Sequence, residues 1–263
     1  MTTKTRAAKP PPAEGRRGEG HRGEGDRGTG LVTFLVGSLI AAYLFLTNAD
    51  PKSSEAYWLV NIGLCLWVPL AVILLVLKQE PSQFGMTRGD RRLGLKWTGI
   101  AWAGMVLILA VVMGIPRLRA QFQGQYLDGR LSHWYLSGLG VVFSHNAVNL
   151  RALLYYELFT GFYMFGWEFF FRGFLLFGLQ KTWLRSGGAV VFQALAFMLL
   201  HWSLDPQAAK PLAEILSAFP GGIILGILAL RTRSFVYGFL AHWAISVTLD
   251  VMLLSPFIFR HVG

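Results

Sequence analysis

The sequence predicts an all-α fold, a polytopic membrane helical bundle of about seven or eight transmembrane helices. Three observations predict it. Of the 263 residues, 54% are hydrophobic and 14% charged, and the mean hydropathy is positive, a balance that soluble domains seldom reach. Apolar runs of roughly bilayer length recur along the chain. The charged residues are gathered between those runs rather than spread through them.

Residues 1–30 are rich in Gly, Arg, Glu and Pro and carry a loose repeat, RRGEG, HRGEG, DRGTG, over 16–30. Such a segment offers too little apolar surface to offset the entropy of ordering, and it is predicted to be a disordered cytoplasmic tail. A polar stretch of this length ahead of the first apolar run is not the layout of a cleavable signal peptide, so that run reads as a retained anchor. Runs at 31–46, 57–77, 97–115, 150–179, 189–202, 212–230 and 235–258 are long enough, or nearly so, to span a bilayer as helices. The segments 78–96, 181–185 and 231–233 are basic, and the positive-inside rule places all three with the tail on the cytoplasmic side. Seven spans satisfy that arrangement. Residues 131–149 are apolar yet carry His133, His145, Asn146 and Asn149, and read either as an interfacial segment or as an eighth span. The chain thus divides into a tail (1–30), N-terminal transmembrane helices and loops (31–130) and a C-terminal helical core (131–263).

The net charge of +10 follows the tail and the inter-helix segments, a membrane-topology pattern, so membrane lipids and not nucleic acid are the expected partners. The single cysteine, Cys65, lies in an apolar run and excludes an intrachain disulfide.

Ionisable residues inside apolar runs are costly and mark function. Glu168 and Arg172 stand four apart in FGWEFFFRGFLLFG, on one helix face, where each lowers the cost of burying the other. Downstream, FMLLHW places Phe197 four residues before His201, and HWAIS places His242 four residues before Ser246. Asp205 follows His201 by one turn and Asp250 follows Ser246 by one turn, spacings at which a carboxylate can orient an imidazole. Taken singly, each polar residue is equally well explained as an interhelical hydrogen-bonding group or a structural ion pair. Three helices each contributing one point instead to a convergent Glu168, His201, His242 site. Those three are also a plausible zinc set with a fourth position for water, but no compact spacing such as HExxH is present. No metal cofactor is therefore expected, with zinc as the alternative.

Weaker signals surround these. Glu157 precedes Glu168 on the same face, Gly221 and Gly222 after Pro220 suit close helix packing, and Trp202 and Trp243 directly follow the two histidines, where they can wall a site. A transporter lined by the same polar residues is a second class of function, though the sequence shows no inverted repeat.

The order E…R, FxxxH, HxxxS on successive helices over 150–258 resembles the CPBP family of intramembrane proteases (CAAX protease and bacteriocin-processing, or Abi), which includes the type II CAAX prenyl proteases. The family pattern EExxxR has Trp167 here in place of its first glutamate, and HxxxN has Ser246 in place of its asparagine. In the family the first glutamate and the FxxxH histidine are held to activate water, while the HxxxN pair stabilises the oxyanion. The resemblance therefore implies an integral membrane endopeptidase, of a bacterial plasma membrane, that cleaves a membrane-associated or lipidated protein near its C-terminus. Glu168 becomes its base, Arg172 holds Glu168, His201 positions the water, and His242 with Ser246 meets the oxyanion. The alternative is a catalytically inactive relative acting in immunity or scaffolding.

Overall fold

The computed structural model describes residues 16–47, 54–202, 210 and 212–258, with side chains from residue 27 onward. The chain enters through α1 (Arg16–Thr47). A second continuous helix follows, in which α2 (Ser54–Ile62) and α3 (Val68–Ala71) are joined and continued by π turns at Gly63–Trp67 and Val72–Val76. A 3-10 turn (Pro81–Phe84) leads to α4 (Arg91–Gly114), then to α5 (Pro116–Phe122), which runs into a π-helical segment Gln123–Leu131. A two-stranded hairpin, β1 (Phe143–Ser144) against β2 (Ala147–Val148), precedes α6 (Leu150–Glu168). That helix continues as a π turn (Phe169–Leu175) into α7 (Leu176–Leu179). The last three helices are α8 (Arg185–Leu199), α9 (Leu212–Thr232) and α10 (Val236–Ile258).

Five helical stretches among the described residues are long and apolar enough to cross a membrane: Arg27–Thr47, Ser54–Val76, Arg91–Gly114, Leu212–Thr232 and Val236–Ile258. Their unburied faces carry Leu35, Leu39, Leu75, Leu107 and Val111, the side chains a hydrocarbon solvent accepts. Of the two other expected runs, 150–179 is helical but carries Glu157, Glu168 and Arg172. The other is α8, apolar but only 15 residues long, about 22 Å at 1.5 Å per residue.

Two expectations are corrected. Helix runs back through 16–30, where the composition predicted disorder. Extending an existing helix avoids the cost of nucleation. The eighth-span option for 131–149 also falls. This segment turns twice, with Gly138 and Gly140 at positive φ, and its hairpin tip His145–Asn146 is left-handed. The Asn149 side chain then accepts from the Ala152 N–H at 3.1 Å and caps α6.

The three basic segments meet at one end of the bundle. Gln79 donates to Thr29 Oγ1 at 2.7 Å, and Lys181 Nζ donates to Gln79 Oε1 at 3.1 Å. The Asp90 N–H donates to the Thr232 carbonyl at 3.0 Å, an approach so close that a Cβ on Gly89 would sit 2.0 Å from that oxygen. At the opposite end, the Ser54 hydroxyl donates to the Tyr135 carbonyl at 2.9 Å and the rings of Phe143 and Phe257 lie 4.6 Å apart.

Candidate active site

Glu168 is the last α-helical residue of α6, and the π turn opens immediately after it. A π turn re-aims the side chains that follow it and is common at functional sites. It is packed by Phe169, Phe170, Phe171 and Phe174, all fully buried, and by Gly173, whose missing side chain leaves room for the Phe84 carbonyl. Arg172 Nη1 lies 3.1 Å from Glu168 Oε1, and both side chains have no exposure. The guanidinium stacks on the Phe197 ring at 4.1 Å, while its nitrogens make no hydrogen bond among the described residues. Charge pairing and the ring face, rather than a fork of hydrogen bonds, hold this arginine.

His242 reaches the same carboxylate from α10. Its Nδ1 is 2.8 Å from Glu168 Oε1, and since a carboxylate only accepts, Nδ1 is the donor. The other ring nitrogen, Nε2, is left for a reacting group, and the side chain keeps 25% exposure. Helix α10 comes this close because of Gly238, where a Cβ would lie 3.1 Å from Glu168 Oε2. Ser246 stands one turn beyond His242 on the same helix, half-buried.

His201 follows the end of α8. Its Nδ1 is 2.9 Å from the Phe197 carbonyl, which can only accept, so Nδ1 carries the proton and Nε2 presents a lone pair. The Phe197 ring lies 4.5 Å from the His201 ring and 5.8 Å from the His242 ring, so the two imidazoles flank one aromatic side chain. The expected three-residue convergence is therefore partial. Glu168 and His242 touch, while His201 stands across Phe197.

The His201 Nε2 faces Glu214 on α9, at 3.8 Å from Oε1. Lys210 Nζ donates to that same oxygen at 2.6 Å, and the Tyr126 hydroxyl donates to Oε2. Sequence reading missed Glu214, Lys210 and Tyr126. The available signal was the i, i+4 spacing of Lys210 and Glu214 at the start of an apolar run.

Other expected partners lie elsewhere. Asp205 falls outside the described residues. Asp250 does not orient His242, whose Nδ1 is taken by Glu168; it is buried against Glu157 of α6, with Arg130 and Tyr156 beside the pair. Eight residues along a helix amount to about 80° of rotation and 12 Å of rise, which turns Asp250 away from the His242 face. Glu157 accordingly belongs to this second polar cluster. Trp167 points away from Glu168 and donates from Nε1 to Asn61 Oδ1 at 2.9 Å, with its ring edge-on to Phe197 at 6.3 Å. Trp243 donates to the Glu157 carbonyl at 3.1 Å and packs on Gly161, while Trp202 is exposed. Among the described residues, no three His, Cys, Asp or Glu side chains are grouped as a metal site. Of the alternative zinc set of Glu168, His201 and His242, Glu168 Oε1 is engaged by Arg172 and His242, and both imidazoles pack on Phe197.

A helical membrane bundle that buries a Glu–Arg pair, binds a histidine to it and sets a second histidine against the same aromatic ring defines an intramembrane polar site. Residues 149–248 match the model of the type II CAAX prenyl endopeptidase Rce1-like family. The match supports a CAAX-protease (CPBP) family assignment for these polar C-terminal helices, and with the five apolar helices it supports an integral membrane protein. Comparison with curated proteins and with solved structures returned no match.

Proposed function

We propose that the protein is an intramembrane endopeptidase that hydrolyses a peptide bond near the C-terminus of a membrane-associated or lipidated protein. The observation that carries this reading is the Glu168–His242 hydrogen bond, made inside the family-matched segment with His201 on the other side of Phe197. Glu168 is enclosed and held by Arg172 and His242, which suits it to orienting an imidazole rather than to meeting water. His242 Nε2, with the Ser246 hydroxyl one turn on, then donates to the oxygen of the scissile carbonyl as it becomes negative. His201, with its Nε2 lone pair free, receives a proton from the attacking water. The hydroxide adds to the carbonyl carbon, the C–N bond breaks, and the proton passes to the leaving amine. No step calls for a metal. The aromatic divide between the histidines favours this split site over the unbroken polar lining a transport path requires.

By the positive-inside rule we assign the end where the three basic segments meet, together with the start of α1, to the cytoplasm, and the bundle to a bacterial plasma membrane. Membrane lipids surround it; nucleic acid has no role in this reading. The test is quantitative proteomics of membranes containing the wild type or His201→Ala. One or more membrane proteins should carry an intact C-terminal segment only with the variant, and identical C-termini in both would overturn the reading.

A further inference from the structure

The geometry points to Glu214 as a catalytic residue: it and His201 together hold and deprotonate the attacking water. This rests on the endopeptidase reading above, and it adds a carboxylate from α9 that the motifs on α6, α8 and α10 do not contain.

Two acceptors facing each other make the case. His201 Nδ1 is committed to the Phe197 carbonyl, so Nε2 offers only a lone pair. Glu214 Oε1, 3.8 Å away, is a carboxylate oxygen and also only accepts. These two atoms cannot bond to each other directly. A water about 2.8 Å from each satisfies both, giving one hydrogen to Nε2 and the other to Oε1, and its oxygen lone pairs then face a peptide carbonyl.

Glu214 is also fixed in position. Lys210 and Tyr126, from the approach to α9 and from the 123–131 segment, fix its two oxygens separately, and the side chain keeps 18% exposure beside 9% for His201. Glu168, by contrast, is sealed, with Oε1 shared by Arg172 and His242. In the reaction Glu214 or His201 takes one water proton as the O–C bond forms, and that proton leaves on the amine when the C–N bond breaks. Nothing is oxidised or reduced.

The experiment compares wild type, Glu214→Gln, His201→Ala and Tyr126→Phe in membranes, scoring the ratio of cut to uncut C-termini by quantitative mass spectrometry, with thermal unfolding of each purified protein alongside. Glu214→Gln keeps one acceptor oxygen, for Lys210, turns the amide N–H toward the Tyr126 hydroxyl as a donor, and removes the carboxylate. It should lose at least 100-fold in cleavage, as His201→Ala does, while Tyr126→Phe loses less than 10-fold. If wild type cleaves and folded Glu214→Gln cleaves within 3-fold of it, Glu214 is not the base although the endopeptidase reading stands. If wild type produces no more cut termini than His201→Ala, both readings fall. Should Glu214→Gln not accumulate, the double variant Glu214→Leu/Lys210→Met, which removes the carboxylate together with its charge partner, replaces it. A loss above 30-fold in the folded protein supports the assignment, and near-wild-type cleavage overturns it.

Discussion

The imidazole of His242 and the carboxylate of Glu168 meet at 2.8 Å across 74 residues of sequence, and Arg172 closes on the same carboxylate oxygen from one turn along its own helix. One buried oxygen thus serves a cation and an imidazole. That sharing decides what each substitution does.

Glu168→Gln retains an acceptor for His242 but strips Arg172 of its counter-charge in a site with no exposure. Breaking a buried pair this way costs about 3–5 kcal/mol. Adding Arg172→Met to Glu168→Gln should recover most of that stability without recovering cleavage. Thermal unfolding in detergent checks it, and a single Glu168→Gln variant as stable as wild type would contradict the buried pair.

Trp167 occupies the position of the family's first glutamate, and its surroundings are built for an indole. The ring lies among Tyr163, Phe171 and Phe197, and its N–H serves Asn61. Trp167→Glu should therefore destabilise the protein by several kcal/mol, since an unpaired carboxylate replaces a packed, hydrogen-bonded ring. Trp167→Phe should cost about 1–3 kcal/mol, for the lost hydrogen bond to Asn61. A stable, more active Trp167→Glu protein would show that the pocket accepts a base at this position.

His242 and Ser246 differ in how they are supported, because Glu168 orients the histidine. Removing a single oxyanion donor costs about 10²- to 10³-fold in rate. Ser246→Ala should fall at or below the lower bound and His242→Ala at or above the upper. Cleavage time courses on the two variants test the order, and equal losses would remove the distinction.

Orientation is checked by labelling. In a Cys65→Ser background, Arg88→Cys and Ser186→Cys are exposed sites at the basic end, while Asp128→Cys is exposed on the segment that follows α5. An impermeant thiol reagent outside intact cells should label Asp128→Cys alone. Labelling of Arg88→Cys or Ser186→Cys from outside would reverse the assignment.

How much of this was legible in the sequence depends on the range of each interaction. The Glu168–Arg172 and Phe197–His201 pairs are one turn apart on single helices, so periodicity alone sets them on one face. The pairing of Glu168 with His242 needed the family order as well, because nothing local joins α6 to α10. Glu214 carried only one local signal, its i, i+4 spacing to Lys210. Its neighbours come from Tyr126, 88 residues earlier, and from the far end of α8, and packing alone brings them together. Asp250 was assigned to His242 by adjacency along α10, but eight residues of helical rotation take it to Glu157 instead. The tail was read from composition, which ignores the ease with which a long apolar helix extends into a charged segment.

The ring of Phe197, set between the two histidines, has a bioenergetic consequence. A cell that stores energy as a proton gradient is drained by any chain of titratable groups and water that bridges its membrane. Here an apolar ring packs against both imidazoles, and an apolar side chain set among polar ones opposes a continuous relay of protons.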